Sequence, residues 1–216
     1  MASETMTHAI DLPYFTARPR DAEPGGPGVL LVMEGGGISQ QLLRVAQRLA
    51  GEGYTVVAPD FFHQFGGSDN DGALSGMWGR KLIEGDVVED LRAAREVLAG
   101  MGVGKVGVTG FCMGGSISYL AAVRGVDVAC AAPFYGSAIA KMLGPVSCPL
   151  LFFFGGQDEW VPMSDIEQVR ERYPNDVVLY EDAGHGFFRD GSDSYHPQAA
   201  ADAWDRLRAF FAAHLR

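Results

Sequence analysis

Two kinds of hydrophobic pattern take turns along the chain. Residues 28–33, 55–59, 105–109, 128–134, 150–154 and 177–181 form short runs rich in apolar, β-favouring residues and bounded by Gly, Pro or Asp. Continuous runs of that length predict strands covered on both faces, as in a parallel sheet. Between them apolar residues recur at three- and four-residue spacing. Leu42, Val45, Ala46 and Leu49 do so within 40–50, and Val87, Leu91, Ala94 and Leu98 within 82–99. A third pattern covers 164–173, and a last one opens near Pro197 and carries Trp204, Leu207, Phe211 and Leu215. That spacing gathers each set on one helical face. Ser164 with Glu167 three residues later predicts a capping box at the start of 164–173.

Strands alternating with helices predict one α/β domain over 1–216, a mostly parallel central sheet with helices on both faces. In such sheets ligands collect beyond the C-terminal ends of the strands. Two stretches interrupt the alternation. Residues 61–81, rich in Gly, Asp and Ser, read as a surface loop bordering a site, and 136–148 as a short helix and turn. Neither is large enough for a separate lid domain.

Composition and charge narrow the function. A chain of 216 residues can bury about 70% of its extended surface, enough for a core without metals or disulfides. Its 27 acidic residues outnumber 17 basic ones, and the formal charge of -10 repels phosphate backbones and anionic lipid. With no basic patch to offset this, neither nucleic acid nor a membrane surface is an expected partner. No apolar run approaches the roughly 20 residues that cross a bilayer. The first twelve residues carry Glu4 and Asp11 and lack the basic and apolar regions of a secretory signal, so a cytoplasmic monomer is expected. Cys112, Cys130 and Cys148 are an odd count without the spacing of a zinc site or disulfide scaffold, and no metal or cofactor is expected.

The chemistry concentrates at three strand ends. The strand 105–109 runs into Gly110-Phe111-Cys112-Met113-Gly114-Gly115 and then a helical pattern, a nucleophile turn with Cys where Ser is commoner. So sharp a turn presses strand and helix backbones together, and glycines at the flanks avoid collision. Cys112 then stands at a helix N-terminus, where the dipole and free amides favour a thiolate and later an oxyanion. The Met113 amide is the best-placed donor. Gly155-Gly156-Gln157-Asp158 follows the strand at 150–154, and Asp182-Ala183-Gly184-His185-Gly186 follows the one at 177–181. Nucleophile, acid and base therefore appear in the chain order of a nucleophile-elbow hydrolase. One helix and one strand separate Asp158 from His185, so a right-handed crossover sets their loops side by side. His8, His63, His196 and His214 are less suitably placed. Glu34-Gly35-Gly36-Gly37 after the first run supplies a second oxyanion donor, Gly35.

Each piece has a plainer reading: packing glycines around a buried thiol, a turn-forming Asp, a solvated Glu34. The three in order at strand ends outweigh those readings together. Phe111, Trp78, Trp160, Phe187 and Phe188 are candidate pocket walls, although aromatics near strand ends are as often core.

These residues resemble the dienelactone hydrolases, small α/β-hydrolases with a cysteine nucleophile. The resemblance runs from the Glu34 loop through Ala58-Pro59-Asp60, the Cys112 elbow and Gly155-Gly156-Gln157-Asp158 to Gly184-His185-Gly186. It implies that Glu34 hydrogen-bonds the resting thiol and assists its deprotonation. It also implies a substrate carboxylate held by Arg189, four residues after the histidine, and by a second cation for which Arg80, beside Lys81, is the neighbour at hand. The family usually follows its glutamate with a bulky apolar residue and an aromatic, where this chain has three glycines.

The expectation is a hydrolase of small esters or lactones: Cys112 attacks, His185 moves the proton, Asp158 orients His185, and Met113 and Gly35 amides hold the oxyanion. From another class comes a binding or redox-sensing protein on the same scaffold, and a third reading is a metal site of Cys112, His185 and Asp158, whose ligand count is short.

Overall fold

The computed structural model describes residues 12–68, 70 and 85–216. Among them a seven-stranded sheet is formed by β1 (Tyr14–Ala17), β2 (Gly28–Val32), β3 (Thr55–Pro59), β4 (Val106–Phe111), β5 (Cys130–Phe134), β6 (Phe152–Gly155) and β7 (Val177–Tyr180). Their spatial order is β1-β3-β2-β4-β5-β6-β7. Every pairing is parallel except β1 with β3. The α-helices are α1 (Gln40–Gly51), α2 (Gly85–Gly100), α3 (Met113–Val123), α4 (Met163–Arg172) and α5 (Pro197–Leu215).

Burial explains the runs. Every residue of β2, β3, β4, β5 and β6 is buried, which is why those segments carry continuous rather than alternating hydrophobicity. Helix α1 buries Leu42, Val45, Ala46 and Leu49, and its Ser39 cap accepts a hydrogen bond from the Leu42 amide at 3.2 Å. Helix α5 buries Trp204, Leu207, Phe211 and Leu215 as the spacing predicts, with Pro197 at its first turn.

Two local readings are corrected. Ser164 lies inside α4, whose N-cap is Pro162 with no side-chain capping bond, so the expected capping box does not form. The preset φ of Pro162 lets the helix begin two residues earlier than a Ser164 cap requires. The antiparallel edge strand β1 was not legible: four residues with every position exposed or half-buried carry too little hydrophobic signal. The segment 136–148 does contain the expected short helix, a 3₁₀ turn over Ile139–Met142. Part of the 61–81 loop and the start of the 82–99 helix lie outside the described residues.

The topology places the site. The chain passes from β2 to β3 on one side, then returns to lay β4 against β2 on the other, with Val32 opposite Gly110. The crevice at this reversal opens between the loops leaving β2 and β4, which hold Glu34 and Cys112. From β4 each new strand adds outward, which puts the loops after β6 and β7 next to each other. No helix among the described residues is long and apolar enough to cross a membrane.

Candidate active site

Cys112 directly follows β4 and caps α3 with φ 56° and ψ -115°, a left-handed conformation unusual for a non-glycine residue. Neighbouring backbone holds it there. A Cβ on Gly110 would stand 2.7 Å from the Val32 carbonyl oxygen, one on Gly114 2.6 Å from Met33 O, and one on Gly115 would overlap Phe134 O. The glycines of the elbow are thus a steric requirement, as the sequence spacing implied. The Cys112 amide donates to Phe134 O at 3.1 Å, tying the elbow to β5. Met113 opens α3, so its amide is one of the first-turn donors without an acceptor inside the helix.

Asp158 and His185 meet above β6 and β7. His185 Nδ1 lies 2.8 Å from Asp158 Oδ2, and the aspartate side chain is 0% exposed. Asp158 Oδ1 accepts from the Trp160 and Val161 amides at 2.8 and 2.9 Å, so both carboxylate oxygens are occupied. The Gly155-Gly156 pair serves close approach: the Gly156 and Gln157 amides donate to Tyr180 O and Ala183 O at 2.8 and 2.9 Å. A Cβ on Gly156 would come 2.7 Å from Glu181 O.

The Asp158 bond fixes the His185 ring and leaves Nε2 buried without a hydrogen-bond partner. The Cys112 sulfur lies near enough to the ring to favour its charged form. Burial disfavours charging His185, yet Asp158 and the Cys112 sulfur together outweigh it and push the imidazole up to about 9. The ring is stacked on Trp160 at 5.5 Å and meets Tyr135 edge-on at 5.0 Å.

A cavity of about 240 Å³ opens over the sulfur, lined among others by Glu34, Gly35, Met113, Tyr135, Trp160 and Arg189. Glu34 is buried and paired with Arg189, Oε2 to Nη2 at 2.5 Å, and Ser39 Oγ makes a distant contact at 3.5 Å. No hydrogen bond joins Glu34 to Cys112 among the described residues. The Glu34 loop is braced from below: Gly37 N donates to Glu34 O, and Ile38 N to Ser68 Oγ at 3.0 Å. Ser68 is in turn held by Asp60 through its hydroxyl and amide.

The structure therefore gathers Cys112, Asp158, His185, Glu34, Met113, Gly35, Arg189 and Trp160 around one cavity or directly behind it. Three expected wall residues are core instead. Phe187 is 0% exposed, and Phe111 and Phe188 stack on each other at 5.2 Å beneath the sheet edge. Trp78 and Arg80, with Lys81 and His8, lie outside the described residues. His63 pairs with Asp90 at 3.1 Å, His196 caps α5 and His214 packs on Phe210, so none reaches the cavity. Sequence reasoning missed Tyr135, Ser137 and Ser194 in the lining and Asp60 and Ser68 beneath it. Tyr135 alone had a usable signal, since it ends a strand at the edge already implicated. No group of three or more His, Cys, Asp or Glu among the described residues could hold a metal ion.

A mostly parallel sheet whose β4–α3 turn presents a cysteine, with acid and histidine on later strand ends, defines an α/β-hydrolase. The chain belongs to the dienelactone hydrolase family, whose profile matches residues 12–215. A relative from Escherichia coli K12 is 33% identical over 93% of this chain and 82% of its own length. The carboxymethylenebutenolidase of Pseudomonas putida is 31% identical over 88% of this chain and 87% of its own. A crystal structure of a Klebsiella pneumoniae protein matches with a TM-score of 0.81 at 28% identity, covering 93% of this chain and 92% of that one. The chain is thus an ester or lactone hydrolase.

Proposed function

We propose that the protein hydrolyses small esters or lactones bearing a carboxylate, through a Cys112-His185-Asp158 triad and a thioester intermediate. The observation that carries this reading is the 2.8 Å bond that occupies one nitrogen of His185 while the other, buried and unpartnered, is left for the sulfur's proton. With the imidazole raised to about 9, His185 carries its proton at neutral pH and faces the sulfur. The contact tightens as substrate seats, as catalytic hydrogen bonds commonly do.

Sulfur attacks the carbonyl carbon, and the Met113 and Gly35 amides take the charge that develops on oxygen. As the adduct collapses, the C–O bond breaks and the His185 imidazolium gives its proton to the leaving alkoxide. Neutral His185 then takes a proton from water, whose oxygen attacks the thioester; expulsion of the thiolate releases the acid and leaves sulfur and imidazolium facing each other again. Asp158 stabilises the imidazolium and fixes its tautomer throughout. Arg189, half-exposed and already paired with a carboxylate, supports recognition of an acid group on the substrate, for which it would exchange Glu34. The carboxymethylenebutenolidase relative supports the lactone half of this reading.

The test uses an aryl acetate and an enol lactone bearing a carboxylate. Turnover of both, abolished in Cys112→Ala, with an acyl adduct on Cys112 detected by mass spectrometry after rapid quenching, is the expected outcome. Turnover unaffected by Cys112→Ala overturns the assignment, and stable acylation without turnover indicates a capturing or sensing protein instead.

A further inference from the structure

The reaction above leaves the most deeply buried polar side chain of the cavity wall, Tyr135, unused. Tyr135 follows β5 directly and is 1% exposed, with a φ of 36°. A bulky residue keeps that left-handed backbone only where its surroundings impose it. Here they do. The Tyr135 amide donates to Phe153 O at 2.8 Å, and the carbonyl before it accepts from the Cys112 amide at 3.1 Å. The next residue, Gly136, has no room for a side chain, since a Cβ would stand 2.5 Å from Ser116 N. The ring is set edge-on against both His185 and Phe187, at 5.0 and 5.3 Å.

This distorted turn brings the phenol into the wall of the cavity alongside Glu34, Cys112 and Arg189. Its hydroxyl has no hydrogen-bond partner among the described residues. Two other buried phenols are satisfied: the Tyr119 and Tyr173 hydroxyls meet at 2.9 Å, and Tyr173 donates to Gly144 O at 2.7 Å. Buried tyrosine hydroxyls ordinarily have such partners. Burial, with Glu34 and Cys112 nearby, raises the Tyr135 phenol well above its ordinary value, so it stays protonated as a donor. The oxyanion is served by backbone amides, which leaves this donor for a second polar group of the substrate.

We propose that the Tyr135 hydroxyl donates a hydrogen bond to the substrate carboxylate that Arg189 also binds, making Tyr135 a specificity-determining residue for half-esters and lactones with a free acid group. This rests on the reading of the site given under Proposed function. A neutral phenol adds a donor without adding charge, so a substrate lacking the acid group gains little from it. A substrate carboxylate gains a charge-assisted bond from a direction independent of the guanidinium.

Tyr135→Phe removes the oxygen and keeps the ring contacts. Two esters isolate the effect: p-nitrophenyl hemisuccinate, with a free carboxylate, and its neutral methyl ester. The expected result is a loss of about tenfold in kcat/KM on the hemisuccinate, carried by KM, against less than about twofold on the neutral ester. Calorimetric affinity for succinamate, a carboxylate probe with an amide in place of the ester, falls by about the same factor. Equal losses on the two esters, or unchanged affinity for succinamate, overturn the proposal. The calorimetry decides it even if neither ester is turned over, so failure of the hydrolase reading remains a separate result.

Discussion

The two halves of the cavity are built on different principles. On the nucleophile side, β4 and the first turns of α3 are wholly buried, and three glycines let backbone meet backbone at distances no side chain could share. On the opposite side Glu34 is held by one ion pair to a half-exposed arginine, Gly36 faces open space and Trp160 is 69% exposed. Backbone contacts leave little play, because each is fixed by the fold as a whole. Side-chain contacts of the second kind can be exchanged one at a time. The chemistry is therefore set by architecture and the choice of substrate by replaceable groups, and substitutions in the two halves should fail differently.

The largest effect belongs to the proton-handling pair. Asp158→Asn keeps an acceptor for the Trp160 and Val161 amides but presents an amide to His185, and kcat/KM is expected to fall about 10³- to 10⁴-fold in steady-state assays. Next comes Gly115→Ala, whose methyl group overlaps the Phe134 carbonyl. It should cost about 3 kcal/mol or more of stability, read as a lowered denaturant midpoint, and an unchanged midpoint would show the elbow to be more yielding than its contacts imply.

A pH effect of intermediate size follows from His185. Its folded value of about 9 lies above the ordinary 6.5, so the stability contributed by the charged ring is fully present below about pH 6.5 and lost as pH rises through about 9. Stability relative to Asp158→Asn should accordingly shrink over that window, by about 2 kcal/mol, in parallel chemical denaturation series. In the recognition half, Arg189→Gln should cost about tenfold in kcat/KM on carboxylate-bearing esters and little on neutral ones. The smallest change in stability is expected from Gly36→Phe, within about 0.5 kcal/mol because its Cβ meets nothing, while bulky acyl esters lose rate and acetyl esters keep theirs.

The same division governs what could be read in the sequence. Elements buried on both faces announce themselves as apolar runs, which is why β2 to β6 were legible and the half-buried edge strand β1 was not. Glycines forced by close approach left a spacing signature around Cys112 and before Asp158. Phe111 and Phe187, by contrast, were misplaced as pocket walls because composition near a strand end does not say to which side of the loop a ring turns. Asp60 and Ser68 support the Glu34 loop from residues remote in the chain, a relation with no local pattern. Tyr135 sits at a readable strand end, but its left-handed backbone comes from tertiary contacts with Phe153 and Cys112.

The interlocked turns after β6 and β7 carry a consequence for engineering. Because Gly156 and Gln157 are fastened to Tyr180 and Ala183 main chain, acid and base travel as one block when that edge of the protein shifts. Exposed cavity residues whose side chains touch neither Asp158 nor His185, Ser194 foremost, can be randomised in a library without detuning the relay beneath them. Selection for new esters should find its productive variants there.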